Sequence, residues 1–376
     1  MRWDAAKQIP NFGAEAIAPL LTILQDEEAD WELLWFVARI LGNLEGREAI
    51  DALITLLKTA DNTEVAGMAA TALANLGAIV IPSLSGLLTD ESTRLLAVQT
   101  LSQIRHPDVV PPLLQRVEDD SPVIRAGAIE SLSHFYDPAI SAALVLALKD
   151  PSASVRQAAI TGLGIQADRV DKLQLTYQLK PLLWDVNLAV CQQTAIALGR
   201  VGTNEAADAL FEVLRSPHTP LLLQIEAVRA LAWIGSVHGL NILESLLNAA
   251  QQRGNGMEVS HEIMTILGRV DHPIAKQRAV EILLNLLQSN CRLVEDIKSK
   301  QAIALSLGQL GQLDALNGLI ELLADANASV RFHAIAALKQ LDVNAAHQRL
   351  QELAMQDDLS ENLKQGVAIA LQEWKI

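Results

Sequence analysis

The side chains of this sequence that could do chemistry are few, and they do not gather. Cys191, in LAVCQQT, and Cys291, in SNCRLVE, are its two cysteines, too few to staple a small disulfide fold. Neither has a histidine and an acid beside it in sequence, as an activated thiol nucleophile requires. Cys191 stands three residues before Thr194 on a core-facing stripe and reads as a small buried hydrophobe. Cys291 follows Ser289 and Asn290 in a loop, where a thiol is more accessible. His106, His218 and His272 each adjoin a proline, belong to turns, and are not spaced as metal ligands. The glycine-bearing QRGNGME lacks the Lys and Ser or Thr that complete a phosphate-cradling loop. These patterns identify no catalytic residue, imply no metal, and give no support to a metal- or nucleotide-dependent enzyme.

Aromatic residues make up 3% of the chain, so their positions carry weight. Trp31 and Trp35 are four apart on one helix, with Phe36 beside them. Leu34, Val37, Leu41 and Leu44 fill the core stripe of that helix better. The two tryptophans lie about a quarter turn off the stripe, among Asp26, Glu27, Glu28, Asp30 and Glu32. An exposed aromatic pair in an acidic rim is the composition of a partner-contact anchor. The competing reading has them cover the open N-terminal end of the array, together with Trp3. Tyr177 and Trp184 flank QLKPLLWD, where Pro181 breaks the helix and lets Trp184 project from a turn. Such a ring stacks on a planar ligand or packs on the adjacent repeat. Arg125, Arg156 and Arg331 recur at one repeat position, with Asp120, Asp150 and Asp325 preceding them. That recurrence points to structure: guanidinium forks bridging acidic turns and helix termini of neighbouring units.

The elements that must hold these residues follow from composition and period. Half of the 376 residues are hydrophobic and 19% are charged, which excludes intrinsic disorder. Short aliphatic side chains favour helices packed closely on helices. Eleven leucines share one local context: Leu41, Leu73, Leu101, Leu132, Leu163, Leu198, Leu231, Leu267, Leu307, Leu338 and Leu371. They run from position 41 to 371 and so recur every 33 residues on average. A small residue lies four before many of them, as Ala69, Ala97, Ala128, Ala159, Ala227 and Ala334 show, letting a neighbouring helix approach. An apolar residue follows three later, which places all three on one helix face. Gly77, Gly202, Gly235 and Gly311 stand where a helix end wants a left-handed residue. A second apolar-periodic helix comes next, then an acidic turn; DDSPVIR, DPSASVR and DANASVR are near copies. Ser121 before Pro122 fits an N-cap followed by proline in the first turn. A repeated helix–turn–helix cannot bury both faces alone, so stacked units form one core: an all-α, right-handed α-solenoid.

The formal net charge is −15, with 21 acidic and 10 basic residues in 1–150 against 23 and 19 in 151–376. No Lys/Arg run offers a phosphate-binding face, so nucleic acid is not an expected partner. Val65 to Thr89 carries no ionisable residue, but Gly77 and Pro82 divide it into two short buried helices rather than a membrane span. Met1-Arg2-Trp3-Asp4 leads into an amphipathic stretch without the apolar core of a secretory signal, and the chain is expected in the cytoplasm. The polar interruption NAAQQRGNGME at 248–258 and the extra SNCRLVEDIKSKQ at 289–301 lengthen the spacing there. We expect a flexible joint near Gly254, with an acidic-ended arm over 1–250 and an arm with a C-terminal capping helix over 251–376.

These units resemble HEAT-like repeats, in particular those of the phycobilisome-lyase HEAT-like family. Asp150-Pro-Ser-Ala-Ser-Val-Arg156-Gln-Ala-Ala-Ile-Thr-Gly-Leu-Gly164 and its relatives at 119–133 and 325–339 carry the resemblance, which extends from about Trp3 to Trp374. The eleven leucine contexts make about eleven such repeats. In bilin lyases it would imply chaperoning an open-chain tetrapyrrole onto a phycobiliprotein cysteine; in degradation-related relatives, binding of chromophore or phycobiliprotein without ligation. On that footing a phycobilin would stack at Tyr177 and Trp184, with Asp185 pairing to a protonated pyrrole nitrogen. The isomerising members' His-Cys-Cys cluster does not occur here. The similar deoxyhypusine hydroxylases use several His-Glu pairs to hold two irons, whereas His261-Glu262 is the one such dipeptide in this chain. HEAT-like DNA glycosylases need a basic concave face that this charge balance disfavours. The leading expectation is a non-catalytic interaction scaffold or chaperone. Its concave second-helix surface, and the Trp31/Trp35 end, would hold a protein such as a phycobiliprotein. The alternative is a bilin lyase or bilin-binding subunit.

Overall fold

The structure, a computed structural model, describes residues 7–26, 28–253, 256–289, 291–356 and 358–374. Every regular element among them is an α- or 3-10 helix, and the chain is an all-α solenoid of helix pairs. The recurring leucines fall one to each first helix of a pair. These helices are α1 (Trp31–Leu41), α2 (Thr63–Leu76), α3 (Arg94–Leu101), α4 (Pro122–Leu132) and α5 (Ala153–Ile165). They continue as α6 (Leu188–Val201), α7 (Leu221–Ile234), α8 (Met257–Leu267), α9 (Ile297–Leu310), α10 (Ala328–Leu341) and α11 (Glu361–Glu373). Contacts divide the chain into two compact units, one ending at Gln166 and one beginning at Ala167. The first unit stacks α1 to α5 in chain order, and the second stacks α6 to α10. Gly254 and Asn255 lie outside the described residues, so the joint expected there remains a proposal.

Each leucine from Leu41 to Leu338 is at most 1% exposed, and burial of such a side chain stabilises by roughly 1.5–3 kcal/mol. The residues beside the leucine set how closely first helices approach. A Cβ on Gly42 would lie 2.7 Å from Ala72 Cα, one on Gly199 3.2 Å from Ala230 Cα, and one on Gly308 2.8 Å from Ala337 Cα. In each pair the residue after one leucine meets the residue before the next. The alanines four before the leucines are fully buried as well. The last helix departs from the pattern. Instead of stacking on α10, α11 packs on the 3-10 turn Leu322–Ala324 and on Val343–Ala354, and a Cβ on Gly366 would meet the Leu323 carbonyl at 2.0 Å. Leu371 is accordingly only half-buried.

Helix starts and stops follow local chemistry. Asp119, Asp150, Asp185 and Asp325 each accept the backbone N–H two residues on, at 2.8–3.0 Å, closing an Asx turn before the helix. Asn187 and Asn327 then cap with their side-chain oxygens. Ser121 does not: its side chain makes no cap bond, while Asp119 closes the turn through the Ser121 amide and Pro122 takes the first helical position, where no N–H is needed. At the other end Gly77, Gly202, Gly235 and Gly311 have φ between 62° and 73°, where a Cβ would be strained.

The repeated arginines are part of this framework. Arg125, Arg156 and Arg331 each donate from Nη1 to two carbonyls of their own turn at 2.7–3.0 Å. Arg125 also grips Asp150 of the next turn, through Nε at 2.8 Å and Nη2 at 2.9 Å. Arg94 reaches Asp119 in the same way at 2.9 Å, and Lys300 reaches Asp325.

By length and composition the run Thr63–Leu87 could cross a membrane. Here it is two helices parted at Gly77, and α2 packs against α1, α3 and the second helix Arg47–Thr59.

Candidate interaction surfaces

In the helix Lys172–Leu179, Asp171 caps the first turn by accepting from the Leu173 and Gln174 amides at 3.0 and 3.1 Å. Leu175 and Leu179 point inward at 2% and 0% exposure. Helical spacing therefore turns Leu173 and Tyr177, four apart, to the other side. Pro181 ends the α-geometry, and a 3-10 segment Lys180–Trp184 follows with Leu183 buried. Tyr177 is 64% exposed, Trp184 55%, and Val186 fully so. The stretch thus presents four large apolar side chains to solvent. No ring contact joins Tyr177 to Trp184 among the described residues. Asp185 is engaged by the turn it opens. Its Oδ1 accepts from the Asn187 amide at 2.8 Å and its carbonyl accepts from the Cys191 thiol at 3.2 Å.

At the other candidate site, Asp30 caps α1 through the Leu33 amide at 2.7 Å, which places Trp31 at the first helical position, 49% exposed. Trp35 and Phe36 are half-buried and meet edge to face, with centroids 5.1 Å apart and planes at 85°. The Arg39 guanidinium lies 5.7 Å from the Trp35 centroid, within cation–π range. Trp35 and Phe36 therefore serve one another, and Trp31 is the open member of the three.

The cysteines differ as expected. Cys191 is buried, and that burial pushes its thiol above the ordinary range, away from the thiolate a nucleophile needs. Cys291 is half-exposed and lines a groove of about 390 Å³ with Glu295, Lys300 and Asp325. Among the described residues no group of three His, Cys, Asp or Glu side chains is placed to hold a metal.

Folding does assemble a serine, a histidine and an aspartate that sequence spacing did not reveal. His261 Nε2 lies 2.9 Å from Asp296 Oδ2 and 3.0 Å from Ser299 Oγ. One ring nitrogen serves both, whereas a general base needs the acid on the other nitrogen. Ser299 is 0% exposed, and Asp296 caps α9 through the Ser299 amide at 2.9 Å. Burial opposes ionisation of Asp296, but that amide and His261 outweigh it and hold its carboxyl below the usual range. The trio ties α8 to the start of α9.

The most exposed tryptophan among the described residues is one the sequence reading passed over. Trp233, on α7, is 76% exposed. It borders a groove of about 240 Å³ between α6 and α7, lined also by Ile196, Gly199 and Ala230.

The family model described as HEAT repeats matches residues 1–74, 17–96, 81–164, 140–224 and 292–372. A chain from the structure of Kap95p with RanGDP is similar at 13% identity and a TM-score of 0.62, covering 99% of this chain and 58% of that one. Importin beta is similar at 11% identity and a TM-score of 0.60, covering 99% and 59%. This chain thus spans a little under three fifths of either. A chain of the CpcE and CpcF complex of phycocyanin lyase from Nostoc is similar at 18% identity and a TM-score of 0.36, covering 70% of this chain and 94% of that one. Curated proteins gave no match.

Proposed function

Because this chain belongs to the HEAT-repeat family, we propose that it is a non-catalytic scaffold or chaperone, working in the cytoplasm, that binds a protein partner through its second-helix surface. The observation that carries the reading is the apolar display of Leu173, Tyr177, Trp184 and Val186 within one short stretch. In a chain with 3% aromatics, two rings at solvent where neither serves the core are best explained by a partner that covers them. Trp31 supplies a second contact at the N-terminal end, backed by the Trp35–Phe36 pair. Catalysis has no comparable support: the buried Ser299 and Cys191 are closed to a substrate. The test is a pull-down with the full chain against its Tyr177→Ala/Trp184→Ala variant. A partner held by the first and released by the second, at equal thermal stability, supports the surface. Equal recovery by both excludes it.

The finer reading gives the partner as a phycobiliprotein, with bilin handled or ligated, and rests on the likeness of the repeat turns at 119–133, 150–164 and 325–339 to the phycobilisome-lyase repeats. Co-expression with a phycobiliprotein subunit and a bilin source separates the cases. A coloured complex supports pigment handling, and colourless capture of the subunit supports the plain scaffold. Absence of both colour and capture removes the pigment connection.

A further inference from the structure

The residue two beyond each recurring leucine, at or just past the end of the first helix, is exposed in every repeat. It is polar or charged everywhere except at Ile165 and Trp233. A tryptophan, 76% exposed, in a row that apart from Ile165 holds only Asn, Gln, Arg, His and Glu serves no packing need of the fold. Trp233 makes no ring, cation–π or hydrogen-bond contact among the described residues. Its neighbours in the row are Arg200 on α6 and Arg269 in the turn just after α8, both exposed and without an ion pair among the described residues. The remaining charges beside the groove satisfy each other: Arg229 donates to Glu262 at 2.7 Å and to Glu226 at 2.8 Å. The groove itself is floored by Gly199 on Ala230 and walled by Ile196 and Trp233.

We propose that this row is a docking site for an acidic peptide segment bearing a large aliphatic residue between two carboxylates. The aliphatic side chain enters the groove against Trp233, and the carboxylates pair with Arg200 and Arg269. Charge complementarity selects this occupant: in a chain of net charge −15, two unpaired guanidiniums flank one exposed ring, and guanidinium forks match carboxylates. Neighbouring packed helices lie about 8–10 Å apart, and an extended peptide advances about 3.3 Å per residue. About three residues therefore separate the central side chain from each acid. The site lies in the first-helix row, apart from Tyr177 and Trp184. It rests on the reading of the chain as a protein-binding scaffold, although not on that surface.

The test is fluorescence anisotropy of the full chain, at low salt, with a labelled synthetic peptide. Its central leucine has an aspartate three residues to each side, joined by Gly and Ser. Saturable binding is expected, weakened at least tenfold by Trp233→Ala and equally by Arg200→Glu with Arg269→Glu. The double reversal should gain binding to the same peptide with lysines in place of the aspartates. All three side chains are exposed, so equal circular-dichroism melts check the fold of each variant. Absence of saturable binding by the unaltered chain, or binding indifferent to Trp233→Ala, overturns the proposal. So does a concentration-dependent dimer that Trp233→Ala abolishes, because a second copy would then be the occupant. Failure here leaves partner capture through Tyr177 and Trp184 standing, and the converse also holds.

Discussion

Arg125 shows how far the charge of this chain is committed to joining one repeat to the next. Its fork holds two carbonyls of its own turn and both oxygens of Asp150 in the following one. The two side chains are only 13% and 11% exposed, so solvent screens the pair little. Arg125→Ala leaves the largely buried Asp150 carboxylate without its ion-pair partner and should cost about 2–4 kcal/mol. Arg331→Ala removes bonds to carbonyls alone and should cost about 1 kcal/mol; chemical denaturation of both variants orders them. The same pair sets a pH dependence. Burial works against the Asp150 carboxylate, but Arg125 and the Ser152 amide outweigh it and hold its pKa below the ordinary 3.8. A depressed folded value means the contribution is complete above the ordinary pKa and is lost as pH falls through the folded one. Thermal stability should therefore drop on acidification below about pH 4. Asp150→Asn should start lower at neutral pH and fall less steeply.

At the scale of the helix, glycine has opposite consequences in two places. Gly308 lies in α9 where a Cβ would come 2.8 Å from the Ala337 Cα, a backbone atom that moves only if α10 moves. Gly308→Ala should destabilise by about 1–3 kcal/mol through overpacking. Gly67 lies inside α2 with no atom within 4 Å of a built Cβ, so Gly67→Ala should stabilise by about 0.5–1 kcal/mol through helix propensity. Opposite shifts in melting temperature are expected, and shifts of one sign would contradict the register. The contrast also shows what a sequence can reveal at this scale. The leucine stripe and the glycine stops were legible because 3.6-residue periodicity and positive φ are local requirements. The close approaches at Gly42, Gly199 and Gly308 are not legible in this way, because helix-face reasoning sees one helix and the contact belongs to two. Rarity and Pro181 brought out Tyr177 and Trp184. Trp233 stayed hidden in RALAWIG, where an apolar residue beside apolar neighbours reads as core until the leucines are aligned and position two beyond them proves exposed. His261 and Ser299 are 38 residues apart, so no spacing rule joins them.

Across the whole molecule, stacking order decides how damage spreads. From α1 to α5 and from α6 to α10 each first helix packs on its neighbours in the stack, so stability is a sum of repeat and neighbour terms rather than the property of one centre. Leu132, in the middle of the first unit, is 0% exposed. Leu132→Ala should remove about 2–5 kcal/mol there. Around a single shared core that loss would lower protection everywhere, and unfolding would remain one transition. In a stacked array it should raise amide exchange in α3, α4 and α5, while α9 and α10 in the second unit keep the rates of the unaltered chain. Hydrogen exchange read by mass spectrometry resolves these segments. Equal acceleration in α4 and α9 would mean that the two compact units unfold as one. The localised outcome also bears on function: a scaffold whose repeats unfold independently can open one stretch for a partner without losing the others.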